Sequence, residues 1–548
     1  MSLLRDPSLD PLRPPPQATL GALCSPRRVW QSARPHPILP AMTQPSARTP
    51  DGAPQRRVAG RTHIRTVRCR GIAVIIGLAL QLLSCVHGML PAWAQAGQAA
   101  SELKRPEYQI RQFDEDWSIL RGVDRGKTDD VWDRVKFIPL TEDQNVWLTL
   151  AGQVRERLEY FNAFAFGTSA PERSDVYLLS RFRLSADLHV SRYVRIFAEG
   201  KSALATDRDL LGGNTTTYRD TIDLQNGFAD ITVPLGDRAS VTLRGGRQEL
   251  LFGAQRLVGV SDFSNVRRTF DGGAGIVRVG DWTITPLWME LVVVQKYRFN
   301  ESTADQKLYG IYATGPAHFL PVNLDLYWLG VDNASVTFNG TSGREQRQTL
   351  GGRVWGKVDG TPLDFEVEGA AQFGTVGDAD IAAGMFTANV GYTPPATPLT
   401  PRLYLEFDYA SGDSKPGGNV GTFNPLYPTS HSFLGYIDYV GRQNIISPSA
   451  GLTMRPISDL SVSLQQYFFW RASNRDAFYS KAGAVLRRGT ETTARSMGAE
   501  IDLLATYNFT RHLLGYGGYS HFFTGEFIRK TGPSKDSDFF YTAMQYTF

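Results

Sequence analysis

The stretch Asp175–Val190, DVYLLSRFRLSADLHV, separates into two faces when read at alternate positions. Val176, Leu178, Ser180, Phe182, Leu184, Ala186, Leu188 and Val190 make one face. Tyr177, Leu179, Arg181, Arg183, Ser185, Asp187 and His189 make the other. A strand points successive side chains to opposite sides. One side of this strand is therefore apolar and the other charged, over a length that crosses a bilayer when tilted.

The pattern recurs on either side of that stretch. In 146–160, Val146, Leu148, Leu150, Val154 and Leu158 alternate with Thr149, Gln153, Arg155, Arg157 and Glu159. Similar segments set Val194, Ile196 and Ala198 against Arg195, Glu199 and Lys201, and Leu350, Val354 and Val358 against Arg353 and Lys357. Counting them from 145 to 548 predicts about 18 strands, a number typical of large outer-membrane barrels. The expected starts are 145, 175, 193, 222, 238, 265, 282, 306, 321, 345, 362, 380, 401, 443, 458, 496, 511 and 538. Gly245-Gly246 and Gly272-Gly273 are candidate bulges. Short turns such as Leu235-Gly236-Asp237 alternate with long loops near 206–221, 248–265, 411–442, 472–495 and 524–537. That asymmetry belongs to outer-membrane barrels. The fold expected is all-β, a transmembrane antiparallel barrel. A soluble sandwich or propeller would need linkers or repeats, and neither is seen.

The ends fit export to the bacterial outer membrane. Residues 1–65, rich in Pro, Arg and Ser, read as disordered or as a mis-annotated leader, with Met42 an alternative start. Residues 66–94 read as a signal peptide: a basic flank, the apolar run 71–83 and Ala92-Trp93-Ala94, with cleavage expected before Gln95. Leu82-Leu83-Ser84-Cys85 resembles a lipoprotein box less closely than Ala-Trp-Ala resembles a cleavage site. Residues 95–144, with Trp117 and Trp132, are expected in the periplasm or plugging one mouth. At the other end, DFFYTAMQYTF (538–548) closes on Phe548, which resembles the terminal aromatic read by barrel-assembly machinery.

Charge and cysteines narrow the function. Residues 1–94 carry 12 Arg and 3 Asp, a net of +9, so the remainder of a +4 chain carries 4 − 9 = −5. Nucleic-acid binding loses its support. Cys24, Cys69 and Cys85 all precede the expected cut, which leaves no disulfide or thiol site in the mature chain. No nucleotide loop, nucleophile elbow or zinc-protease motif occurs. No enzyme activity, metal or other cofactor is expected.

What remains is inward charge. Arg155, Arg157, Arg181, Arg183, Arg195, Lys201, Arg244, Arg353 and Lys357 fall on the non-lipid parity. Such a lining selects anions. Alternatively these bases pair with Glu159, Asp187, Glu199, Glu366, Glu368, Glu406 and Asp408 as a structural network. The aromatic residues of loop 411–441, Tyr427 and Tyr436 among them, suit stacking on sugars or packing against the rim.

Four segments resemble the alginate export family of outer-membrane porins. They are FDEDWSIL (113–120), GRQELLFGAQRLVGVSDFSNVRRTFDG (246–272), FNPLYPTSHSFLGYIDYVGRQN (423–444) and the two Arg-bearing first strands. The resemblance implies a monomeric 18-stranded barrel whose electropositive constriction passes an anionic, alginate-like polysaccharide. Arg155, Arg157, Arg181, Arg183 and Arg353 fit that constriction, with Arg247, Arg256, Arg267 and Arg268 as loop candidates. Partners expected are outer-membrane lipid, the assembly machinery, the polysaccharide and periplasmic synthesis or secretion proteins. The alternative is an uptake porin for small anionic solutes.

Overall fold

The computed structural model describes residues 103–168, 174–317, 320–429, 431–489 and 491–548. The expected leader, signal peptide and cleavage site lie outside the described residues.

Eighteen strands form the wall. They are β1 (Val146–Asn162), β2 (Ser174–Val190), β3 (Val194–Ala205), β4 (Asp220–Pro234), β5 (Ala239–Gln248) and β6 (Phe270–Val279). Next come β7 (Trp282–Val293), β8 (Glu301–Ala317), β9 (Val322–Phe338), β10 (Thr341–Lys357), β11 (Leu363–Val376) and β12 (Ala379–Tyr392). The last are β13 (Arg402–Ala410), β14 (Ile445–Ile457), β15 (Leu460–Trp470), β16 (Ser496–Asn508), β17 (Leu513–Thr524) and β18 (Ser537–Thr547). Each pairs antiparallel with the next, and β18 pairs with β1 from Gln153↔Thr547 to Asn162↔Asp538. The sheet therefore closes and leaves no edge. Each start read from the sequence lies within five residues of the observed one.

Burial is inverted relative to a soluble protein. Leu184, Leu243, Leu350 and Leu405 are 58–63% exposed on the outer surface. Arg155, Arg157, Arg181, Arg347, Arg442 and Arg471 are among the largest fully buried side chains. The apolar parity faces outward and the charged parity inward. Lipid explains this, because a charged side chain facing the bilayer midplane costs about 2–4 kcal/mol.

The paired glycines are not bulges. Register runs unbroken through Gly245↔Gly273 and Gly246↔Gly272. Gly246 (φ +131°) and Gly272 (φ +158°) instead permit close strand approach: an added Cβ would lie 2.3 Å from the Gly227 carbonyl and 2.2 Å from that of Trp288. Register shifts occur elsewhere, between Glu199 and Gly200 and between Glu290 and Leu291.

Strand direction defines two mouths. Short links (235–238, 280–281, 458–459) lie at the end where β1 begins. The long loops 206–219, 249–269, 411–444 and 471–495 lie at the other.

Candidate functional site

The lumen is occupied by the protein's own chain. Loop 249–269, between β5 and β6, reaches from the β1–β2 wall to the β11–β13 wall. At its β1–β2 contact, Arg155 Nη1 and Arg181 Nη1 each donate to the Asp262 carbonyl at 2.9 Å. Arg155 also donates to the Ser264 carbonyl at 3.1 Å, and Arg181 to the Asp262 carboxylate at 3.0 Å. Arg157 donates to the Phe263 carbonyl and sits 3.9 Å above its ring. Arg267 joins this group, 3.3 Å from the Asp262 carboxylate and 2.8 Å from Glu249. Asp262 lies deep in the barrel although 40% of its side chain is accessible. Burial pushes its pKa up, but Arg181, Arg267 and Arg155 outweigh this and hold it far below the usual carboxylate range.

At the loop's other reach, Arg256 pairs with Glu366, Glu368 and Glu406 and lies 4.5 Å over the Phe433 ring. Arg268 donates to the carbonyls of Gly259 (3.1 Å) and Tyr427 (2.5 Å), which ties this loop to loop 411–444. Burial lowers its pKa to about 10. Tyr427 packs on Phe270 at 5.1 Å. Tyr436 packs edge-on against His431 at 4.3 Å, and His431 stacks on Phe263 at 3.5 Å. Both tyrosines thus serve loop packing in this structure.

The other predicted residues are dispersed among ion pairs. Arg183 meets Glu199 through two 2.9 Å bonds. Arg195 meets Asp187 (2.6 Å), and Arg244 meets Asp230 (2.7 Å). Arg247 bridges Asp271 and Asp223, and Lys201 meets Asp220 at 2.9 Å. Arg353 holds Asp325 (2.8 Å) and Glu366 (2.6 Å). Lys357 is exposed near the short-turn mouth, without an ion pair among the described residues.

The short-turn mouth is narrowed by the segment preceding β1. Phe113 is 3% exposed, packed edge-on to Phe197 (5.5 Å) and Phe228 (5.1 Å). Arg195 donates to the Phe113 carbonyl (2.8 Å), Arg267 to that of Ile110 (2.9 Å), and Ser185 to the Gln112 side chain (2.9 Å).

Sequence reasoning missed Asp262, Glu249, Arg442 and Arg471 as organising residues. Arg442 pairs with Asp408. Arg471 donates to five loop carbonyls, including those of Gly489 (2.8 Å) and Thr492 (2.9 Å). The available signal was the combination of charge and apolar residues in loops too long to be plain connections.

No curated protein matches the chain. Among solved structures, Pseudomonas aeruginosa OpdO shares 11% identity at a TM-score of 0.49, covering 73% of this chain and 97% of that one. OprD from the same organism shares 12% at 0.48, covering 73% and 94%. The family model described as alginate export matches residues 146–542, from the first strand into the last. With its closed barrel, apolar outside and charged inside, the chain belongs to the alginate export family and forms a channel of the bacterial outer membrane.

Proposed function

We propose that this channel passes an acidic saccharide, a polymer or oligosaccharide bearing carboxylates, along the guanidinium wall of β1 and β2. The observation that carries this reading is the double donation of Arg155 and Arg181 to one backbone carbonyl. Carboxylates accept hydrogen bonds from guanidinium more strongly than neutral carbonyls do. A uronate group can thus take over the donors that now hold loop 249–269, and the loop yields as the saccharide enters. Membership of the alginate export family supports the same substrate class. Short turns face the periplasm in such barrels. That orientation makes the short-turn mouth the entrance for export.

Planar-bilayer recording tests it. Oligouronates should block the ion current, and carboxyl-reduced oligosaccharides should not. Arg155→Lys with Arg181→Lys keeps the charge and loses the planar fork. Block should weaken far more than small-ion selectivity. Equal block by the reduced sugar, or block indifferent to both substitutions, overturns the reading. Uptake of small anionic solutes is the second reading, favoured by the internal loops that narrow the lumen. Liposome-swelling rates with gluconate-sized anions, set against oligouronates, separate the two.

A further inference from the structure

A cavity of about 510 Å³ opens inside the barrel on the opposite side from the arginine cluster, between β9 and β13 and towards the short-turn mouth. Its volume lies within the range of small-molecule sites, roughly 300–1,000 Å³. We propose that it is a binding subsite for an acidic sugar residue. This deepens the export reading and rests on it for the direction of travel.

The lining carries the chemistry of such a ligand. Lys357 on β10 lines the cavity near the mouth. Its cross-strand partner Asp364 is already engaged by Arg402, at 2.5 Å and 3.0 Å. Lys357 is thus left with its charge uncommitted among the described residues, suited to a carboxylate. Two positions back on the same face, the Trp355 indole N–H is buried and has no hydrogen-bond acceptor among the described residues. A buried donor without a partner is costly, and a sugar hydroxyl satisfies it. The Trp355 ring has the Arg353 guanidinium 4.8 Å from its centroid. Asn323 lies directly across the strand pair from Trp355 and makes no side-chain hydrogen bond among the described residues. Asn389 also lines the space, its amide held between Arg402 (3.0 Å) and Glu406 (2.9 Å).

Bases, acids, an amide and an aromatic ring therefore share one wall. A compact inorganic anion has no use for Asp364 and Glu406, which repel it. A sugar acid uses them as hydroxyl acceptors while Lys357 takes the carboxylate. A neutral sugar leaves Lys357 idle.

Isothermal titration calorimetry on the full mature barrel in detergent tests this. The probes are a uronic acid tetrasaccharide and its carboxyl-reduced counterpart. The uronide should bind. Lys357→Gln should weaken it about tenfold, the effect of one charge-assisted contact. Trp355→Phe keeps an aromatic face, removes the N–H, and should weaken it several-fold. Heat-modifiability confirms that both variants fold. Absence of wild-type binding, equal affinity for the reduced sugar, or affinity unchanged in both variants overturns the subsite. Failure of the subsite leaves oligouronate block at Arg155 and Arg181 intact. Failure of the export reading leaves calorimetric binding intact and abolishes block.

Discussion

Arg155 and Arg181 stand directly opposite each other on β1 and β2, and both donate to a single oxygen, the main-chain carbonyl of Asp262, at 2.9 Å. Like charges at facing positions of a strand pair repel. The loop carbonyl and the Asp262 carboxylate offset that repulsion, so strand pair and loop stabilise each other. Replacing both arginines by Gln should free loop 249–269, since each bond to a charged donor contributes about 1.5–3 kcal/mol. The strand ladder does not depend on these bonds. Hydrogen exchange should therefore rise sharply in 249–269 while the barrel stays heat-modifiable.

Arg183 and Glu199 form a pair with both side chains at most 1% exposed. Removing one partner of a buried pair costs about 3–5 kcal/mol. Arg183→Glu should consequently destabilise the barrel in urea unfolding rather than reverse ion selectivity. Exchanging the two residues, Arg183→Glu with Glu199→Arg, should recover most of the loss.

The segment before β1 inserts Phe113 among aromatic and arginine side chains at the short-turn mouth. Truncating a packed Phe to Ala costs about 3–5 kcal/mol in a core. Phe113→Ala should unseat this segment and raise single-channel conductance. Deleting residues 103–121 should raise it further.

His431 joins loop 411–444 to loop 249–269 by stacking on Phe263. Burial lowers its pKa, more than Asp438 beside it raises it, with Lys481 and Arg157 adding to the lowering. The Tyr436 ring also faces it. The folded imidazole is neutral at pH 7, and the unfolded chain binds more protons below about pH 6.5. The stabilising contribution is therefore present above that pH and declines as pH falls. Channel current should grow noisier from pH 7 to pH 5, and His431→Phe should remove that part of the dependence.

The barrel was legible because lipid and lumen impose opposite solvents on alternate residues, as Leu184 and Arg183 show. The lumen was less so. Alternation places Arg155 and Arg183 inside, but it does not reveal that one holds a loop and the other a neighbouring Glu199. Those partners depend on register and on where loop 249–269 lies, and neither has a period in the sequence. Gly246 and Gly272 misled for a similar reason: a glycine that breaks a strand and one that lets strands approach look alike until the register is known.

The pairing of β1 with β18 bears on how the molecule is made. A ring whose seam joins its first and last strands cannot shut until the last strand has arrived. Before closure, loop 249–269 and the segment around Phe113 can enter through the open seam; afterwards the two mouths are the routes left. Arg155 and Arg157 on the founding strand are available to gather the loop while the seam is still open. Substitutions at these arginines should show in the yield of closed barrels as well as in their current.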